Sequence, residues 1–332
     1  MTTTPVSRRR FIGIVAATSA LSCLPWAAKA MQAPPITSWQ GVALGADAQL
    51  HIHHPDPVFA QTLINQALSE VRRLERIFSL YQKDSALRRL NRDGYLKQAP
   101  GDLTRLLLEC QRLGELTHGA FDPTVQVLWE LYSQTIQESK GSIPHPDELK
   151  RALQKVDHKA ILIQDDHIKL QHPGMALTLN GIAQGYITDR ITGQLKQAGL
   201  EHALVDMGEI RGLGLAPGNR PWRVGLAGNQ AEPASLLNLE IRNQAVSTSS
   251  GAGTLLSRDG SITHLLNPAT GQARPLYRSV SVQAGNATIA DALSTAFSWM
   301  SPKEIEQVLA SDPALKAWVL PYEDAQLVPI HV

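Results

Sequence analysis

From about residue 160 onward the chain is written in short apolar runs, each closed by Gly, Pro, Asn or Asp, and this punctuation narrows the fold more than any other feature. The runs 160–164, 167–170, 176–179, 203–206, 210–215, 221–227, 236–241 and 261–266 read as strands. Parallel strands need crossovers of roughly a dozen residues or more. Most gaps between these runs are too short for that, so neighbouring strands have to return as hairpins. Residues 38–54 alternate as one more strand, bent at Gly41 and Gly45.

Helical spacing is rarer. Val58, Leu63, Ile64, Ala67, Val71, Leu74, Ile77 and Phe78 place a helix over 57–80 that ends near Ser79. A second covers 102–117 and stops at His118-Gly119. A third starts with Asp122 as N-cap and Pro123 at the first helical position. Others are expected near 182–197, 287–300 and 302–310, and the Gly/Pro/Ser-rich stretch 138–148 reads as a surface loop. Strands outnumber helices and hairpins outnumber βαβ units. The expectation is therefore α+β: a single domain of mixed, mainly antiparallel sheet with packed helices, spanning 31–332.

The first thirty residues are set apart. Ser7-Arg8-Arg9-Arg10-Phe11 precedes an apolar stretch to about Ala28, which ends in Ala28-Lys29-Ala30. A basic start, a short apolar run and a small-x-small end are the marks of a cleavable signal, and the arginine pair makes it a twin-arginine signal for periplasmic export. The alternative is an uncleaved anchor. Of the 332 residues 31 are Lys or Arg and 30 are Asp or Glu, a balance without the basic excess of a nucleic-acid binder. With Cys23 removed in the leader, Cys110 has no intramolecular partner and reads as a buried helix residue.

Four constellations carry chemistry. In Asn286–Thr295, Asp291 and Thr295 lie at i and i+4 and share a helix face. A carboxylate and a hydroxyl are hard donors that suit Mg²⁺, and the small residues Ala287, Ala290, Ala292 and Ala296 allow another backbone to approach. The plainer reading is an exposed Asp, of little weight in stability, and a helix-bonded Thr. Leu179–Tyr186 joins a strand to a helix through Gly181 and Gly185; it receives phosphates at a helix N-terminus or is an ordinary tight turn. His264 precedes a Pro/Gly turn, as a general base or as a capped turn residue. His51 and His53 share a strand face, either in a zinc site lacking a recognisable third ligand or on a solvated edge.

Taken in order, the segments resemble one family. They are Phe78–Tyr81 with Ser85 and Leu90-Asn91; Gly119–Val125; Gly181–Tyr186; Val205–Arg211; Val246–Ser249; His264–Gly271; and Ala287–Leu293. Together, from about Gly41 to Met300, they are similar to the ApbE family, the FAD:protein FMN transferases. The resemblance implies that FAD is split at its pyrophosphate, FMN passing to a Thr or Ser hydroxyl of an acceptor protein while AMP leaves. It implies Mg²⁺ on the Gly181 carbonyl, Asp291 and Thr295, and FAD contacts at Leu44, Tyr81, Ala120, Phe121, Asp122, Thr178 and Gln184. It makes His264 the group that activates the acceptor. Thr178, Asn180, Gln184, Leu44 and Asn267 depart from the residues usual at those positions, removing charge around the phosphates. The leader is similar to that of members associated with periplasmic nitrous-oxide respiration, which implies an exported or membrane-bound acceptor and no nucleic acid. An FAD carrier without transfer predicts no AMP. An FAD pyrophosphatase predicts FMN and AMP without any acceptor.

Overall fold

The computed structural model describes residues 12–13, 35–139, 143–227, 235–253, 255–257, 260 and 262–332. The elements in chain order are β1 (Ile12–Gly13), β2 (Ile36–Ala43), β3 (Ala46–His53), α1 (Pro57–Phe78), α2 (Ala86–Asp93), β4 (Tyr95–Leu96) and α3 (Gly101–Leu116). Then come α4 (Gln126–Ser139), α5 (Pro146–Leu153), β5 (Ile161–Gln164), β6 (His167–Leu170), α6 (Ala183–Gln197), β7 (Ala203–Asp206) and β8 (Ile210–Leu213). The chain continues through β9 (Trp222–Ala227), β10 (Ser235–Ile241), β11 (Ala245–Ser250) and β12 (Ser279–Ala284). It ends with α7 (Ala287–Phe297), α8 (Pro302–Leu309), β13 (Lys316–Leu320) and β14 (Val328–Ile330). Apart from Ile12–Gly13, which pair with β9, the expected leader and its cleavage point lie outside the described residues.

Hairpin logic governs the sheets, and every strand pairing among the described residues is antiparallel. One sheet holds eight strands in the order β14-β13-β12-β11-β8-β7-β3-β2. Strands β7 and β12 are buried along their whole length. Helices α1, α6 and α7 cover one face through Leu63, Ile64, Ile187, Leu293 and Phe297. The β9–β10 ribbon covers part of the other, packing Trp222, Val224, Leu239 and Ile241 on Leu204, Ile210 and Val246. A third cluster joins Leu128 and Tyr132 of α4 to Ile262, Leu266 and Ala273.

Local chemistry explains the helix ends. Asp56 caps α1 by accepting the amides of Val58 at 2.8 Å and Phe59 at 3.2 Å, a cap that contributes about 1 kcal/mol. The end of α3 falls at Thr117, and His118 and Gly119 follow at φ +52° and +84°.

Several expectations are corrected. The strand of 38–54 is a hairpin, turned at Leu44 and Gly45 with φ +49° and +76°, the sense that matches strand twist. The stretch 138–148 holds the start of α5, whose capping box uses His145 and Glu148. The run 176–179 is no strand, and among the described residues 262–266 contributes only the bridge Leu255↔Thr263, with Thr263 bonding Ala273 across a turn. The sequence pattern missed α2, β4, β11, β12, β13 and β14.

Candidate active site

Two helices build the centre. Along α6 and α7, Gly181 meets Thr295, Gly185 meets Asp291, and Asp189 meets Ala287, so the pair runs antiparallel. Gly185 makes the approach possible: a Cβ there would lie 2.2 Å from the Ala287 carbonyl oxygen and 2.8 Å from Asp291 Cβ. The alanines of α7 thus do admit another backbone, at Ala287.

The helices cap each other. Asp189 on α6 accepts the amides of Ala287 and Thr288, each at 2.8 Å, and the Thr288 hydroxyl at 2.5 Å. Arg211 pairs with the same carboxylate. At the N-terminus of α6, Ile182 offers no side-chain cap, and Asp291 reaches over from α7 to accept the Gly185 amide at 3.0 Å. Negative charge is favoured at that end of a helix. Asp291 is therefore buried, 4% exposed, rather than solvated as the sequence suggested.

The third expected ligand falls beside these. A Cβ added at Gly181 would sit 2.8 Å from Thr295 Oγ1, so the turn backbone lies directly against that hydroxyl. Thr295 thus lies against the Gly181 turn, and Asp291 lies against Gly185 one helical turn further on. Thr295 Oγ1 is also 3.2 Å from Ser249 Oγ on β11, a residue the sequence placed in a motif without giving it a role.

Next to this centre opens a cleft of about 200 Å³. Leu44, Tyr81 and Gln184 line it, and so does Asn180, the neighbour of Gly181. Each is held for a physical reason. Leu44 keeps its left-handed backbone because Glu75 Oε1 accepts its amide at 2.8 Å; strained residues of this kind gather at ligand sites. Tyr81 is 74% exposed at the rim, on a turn whose amides bond Ser79 Oγ. Gln184 is buried against Gly208, and its Nε2 has no hydrogen-bond partner among the described residues. A buried donor left open in this way marks a place for a ligand acceptor.

Ala120, Phe121, Asp122 and Thr178, expected at FAD, do not line this cleft; the Thr178 amide bonds the Pro123 carbonyl at 2.8 Å. Phe121 is buried in the core and Ala120 packs against it. Asp122 is the N-cap expected, of a 3₁₀ turn leading into α4. Its Oδ1 accepts from the Thr124 amide and hydroxyl, and its Oδ2 from the His158 amide and Nδ1. A carboxylate has about four lone-pair sites, so this one is committed to the framework rather than to a ribose or base edge. Asn91 has a similar task, bonding both the amide and the carbonyl of Leu177 at 2.8 Å.

His264 is half-buried on the 255–277 loop, where a Cβ added at Gly253 would lie 3.7 Å from its Cε1. Gly253 follows Ser249 by four residues, a span of at most about 14 Å. The loop that carries His264 thus meets the chain four residues beyond Ser249. Asn267 Oδ1 accepts the amides of Ala269 and Thr270, the turn bonds an Asp would make, so that departure leaves the loop intact. The His51–His53 face is no solvated edge. Strand β3 lies between β2 and β7, His53 is buried, and His51 bonds Ser38; burial, opposed by Asp206, pushes the His51 pKa down. Cys110 is buried as expected, and its thiol is pushed up chiefly by that burial.

An antiparallel sheet backed by two mutually capped helices, with an oxygen cluster beside a cleft, makes this an α+β fold with a candidate ligand site. The ApbE family model matches residues 44–319, and the chain belongs to that family. It is 32% identical over 260 residues to an FAD:protein FMN transferase of Treponema pallidum, covering 70% of this chain and 71% of that one. It is 26% identical over 286 residues to the Escherichia coli K12 protein of the same name, covering 82% and 81%. The ApbE protein of Thermotoga maritima superposes with TM-score 0.78 at 26% identity, over 89% of this chain and 97% of that one. The Pseudomonas stutzeri flavinyl transferase ApbE, at 21% identity, shares the fold with TM-score 0.74 over 90% and 96%.

Proposed function

We propose that this protein is an FAD:protein FMN transferase that moves FMN from FAD to a Thr or Ser hydroxyl of a second protein and releases AMP. The observation that carries the reading is the meeting of Gly181, Asp291 and Thr295 beside the cleft of Leu44, Tyr81 and Gln184. The names of the curated relatives support the same activity.

The donor set fits Mg²⁺: a carboxylate, a hydroxyl and a turn carbonyl are hard oxygens, and Mg²⁺ takes few protein ligands, filling its shell with water and phosphate. When bound, the ion neutralises diphosphate charge. The remaining work falls to the chain. The cleft is smaller than the roughly 300–1,000 Å³ of a pocket that encloses a whole ligand, so it takes one ring system of FAD, with Tyr81 free to stack. Gln184 Nε2 donates to a ligand acceptor. His264 takes the proton of the acceptor hydroxyl as its oxygen bonds the FMN phosphorus and the bond to the AMP phosphate breaks.

The Arg8-Arg9 leader supports a reaction outside the cytoplasm, in the periplasm, on an exported or membrane acceptor such as a flavoprotein of nitrous-oxide respiration. The test is incubation with FAD, Mg²⁺ and exported candidate domains, followed by intact mass of the acceptor and assay of AMP. One added FMN on a Thr or Ser with matching AMP is expected. FMN and AMP formed equally fast without acceptor would make the protein a pyrophosphatase, and bound FAD with no AMP would make it a carrier.

A further inference from the structure

Thr295 does not stand alone in the oxygen cluster. Four hydroxyls connect β11 to α7: Ser247 Oγ to Ser294 Oγ at 3.1 Å, Ser249 Oγ to Ser294 Oγ at 2.7 Å, and Ser249 Oγ to Thr295 Oγ1 at 3.2 Å. Ser294 is wholly buried and Ser247 nearly so. The chain has one fixed end, where Ser294 Oγ lies 2.9 Å from the Asp291 carbonyl oxygen. A carbonyl only accepts, so Ser294 must donate there.

A hydroxyl owns one proton and two lone pairs, and this count sets every other direction. With its proton on Asp291, Ser294 only accepts from its neighbours. Ser247 and Ser249 each donate to it. The proton of Ser249 is then committed at 2.7 Å, so the remaining contact is Thr295 donating to Ser249. The Thr295 proton is thereby turned toward β11, and its lone pairs are left for the side where Gly181 lies. A helical Thr usually has an easier alternative, donating to the carbonyl four residues back, and for Thr295 that residue is Asp291.

We propose that Ser249 is a positioning residue, which by accepting the Thr295 proton presents that hydroxyl as a lone-pair donor to a divalent cation. The inference rests on the metal reading of the site given above. Ser294 acts one step further back, by holding the Ser249 proton. Ser247 supplies a control: it donates to the same Ser294 oxygen from the same strand, yet its removal leaves the direction of Thr295 unchanged.

The test is Mn²⁺ and Mg²⁺ binding to the whole protein without FAD, by calorimetry and by the electron paramagnetic resonance of bound Mn²⁺. Groups that orient metal ligands typically change affinity by about 10- to 100-fold. Ser249→Ala should therefore weaken binding by about tenfold or more, while Ser247→Ala stays within about threefold of wild type. Ser249→Thr, which keeps an oxygen acceptor, should also stay within about threefold, and thermal melting verifies folding of each variant. Equal losses in Ser247→Ala and Ser249→Ala would reduce the network to packing and overturn the proposal, as would wild-type affinity in Ser249→Ala. If the wild type binds neither ion, the metal reading itself falls and this inference with it. Wild-type binding that is lost in Asp291→Asn but kept in Ser249→Ala rejects only the role of Ser249.

Discussion

Replacing Gly185 by Ala tests the architecture of the site most directly. In a helix interior this change ordinarily stabilises, by up to about 1 kcal/mol, since Ala surpasses Gly in propensity. Here the new Cβ would lie 2.2 Å from the Ala287 carbonyl oxygen and 2.8 Å from Asp291 Cβ. The first obstacle is backbone, which no rotamer change relieves. Restoring ordinary contact requires α7 to move by roughly 1 Å, and overpacking of this kind costs about 1–3 kcal/mol. At about 2–4 °C per kcal/mol for a large domain, the melting temperature should fall by several degrees. The same displacement carries Thr295 and Asp291 away from Gly181, and a shift of about 1 Å at a reacting centre can cost on the order of 10²-fold in rate. Gly193→Ala is the matched control, because it lies on the same helix and its Cβ would meet nothing within 4 Å. Differential scanning calorimetry and FMN transfer to an acceptor domain, run on both variants, decide the matter. A Gly185→Ala protein that melts as high as Gly193→Ala and transfers at the wild-type rate would refute the close-approach account.

Asp291 has two tasks that substitutions can separate. Asp291→Ala leaves the Gly185 amide buried without its acceptor and should lose about 1–3 kcal/mol in denaturant titration; Asp291→Asn keeps an acceptor and should melt near wild type, yet both should lose transfer, and an active Asn variant would remove the carboxylate from the chemistry. His264→Ala should lose about 10²- to 10⁴-fold in transfer with FAD affinity little changed; a wild-type rate would place the base elsewhere. Acid should loosen the contact of α1, α3 and α6, where Arg73 bridges Glu70 and Asp102, and Tyr186 also bonds Asp102. Hydrogen bonding from Arg73 lowers Glu70, while burial pulls Asp102 up but is outweighed by bonds from Tyr186 and Arg73. Both carboxyls titrate lower folded than unfolded, so their stabilisation is full above the unfolded values of about 4 and fades as pH falls through the folded ones. Melting temperatures between neutral pH and pH 3 should fall less steeply in Glu70→Gln, and identical slopes would exclude this pair.

Helix α1 was legible because its burial is one-sided. Ala60, Leu63, Ile64, Ala67, Val71 and Leu74 make a stripe on α1 because only one face meets the sheet. Strands β11 and β12 escaped for the opposite reason. They lie in the middle of the eight-stranded sheet, between α7 and, at Val246, the β9–β10 cluster, and their sequences are Ala-Val-Ser-Thr-Ser-Ser and Ser-Val-Ser-Val-Gln-Ala. Burial on two sides leaves no alternation of apolar with polar. Here the hydroxyls satisfy one another, as Thr248 and Ser281 do at 2.8 Å, so polar residues enter the interior without announcing a strand. Helix α5 was hidden by its cap, since His145 is an uncommon residue at that position.

The site was legible wherever its geometry is local. Asp291 and Thr295 share a helix face because they are four apart, and the turn at Gly181 declares itself by its glycine. What the spacing cannot carry is the environment those side chains enter. An Asp in a second helical turn is ordinarily solvated, and this one is buried because α6 begins at Ile182, a residue unable to cap it. The missing acceptor is supplied from α7, and only antiparallel packing over Gly185 brings that helix close enough to supply it. The departure at Gln184 has the same character. In sequence it is a lost charge. In the fold it is an amide pressed onto Gly208, at φ +118°, with its nitrogen left open beside the cleft. Its burial raises the energetic consequence of leaving that donor unpaired. A ligand proposed for this cleft therefore has to bring one correctly placed acceptor to Gln184.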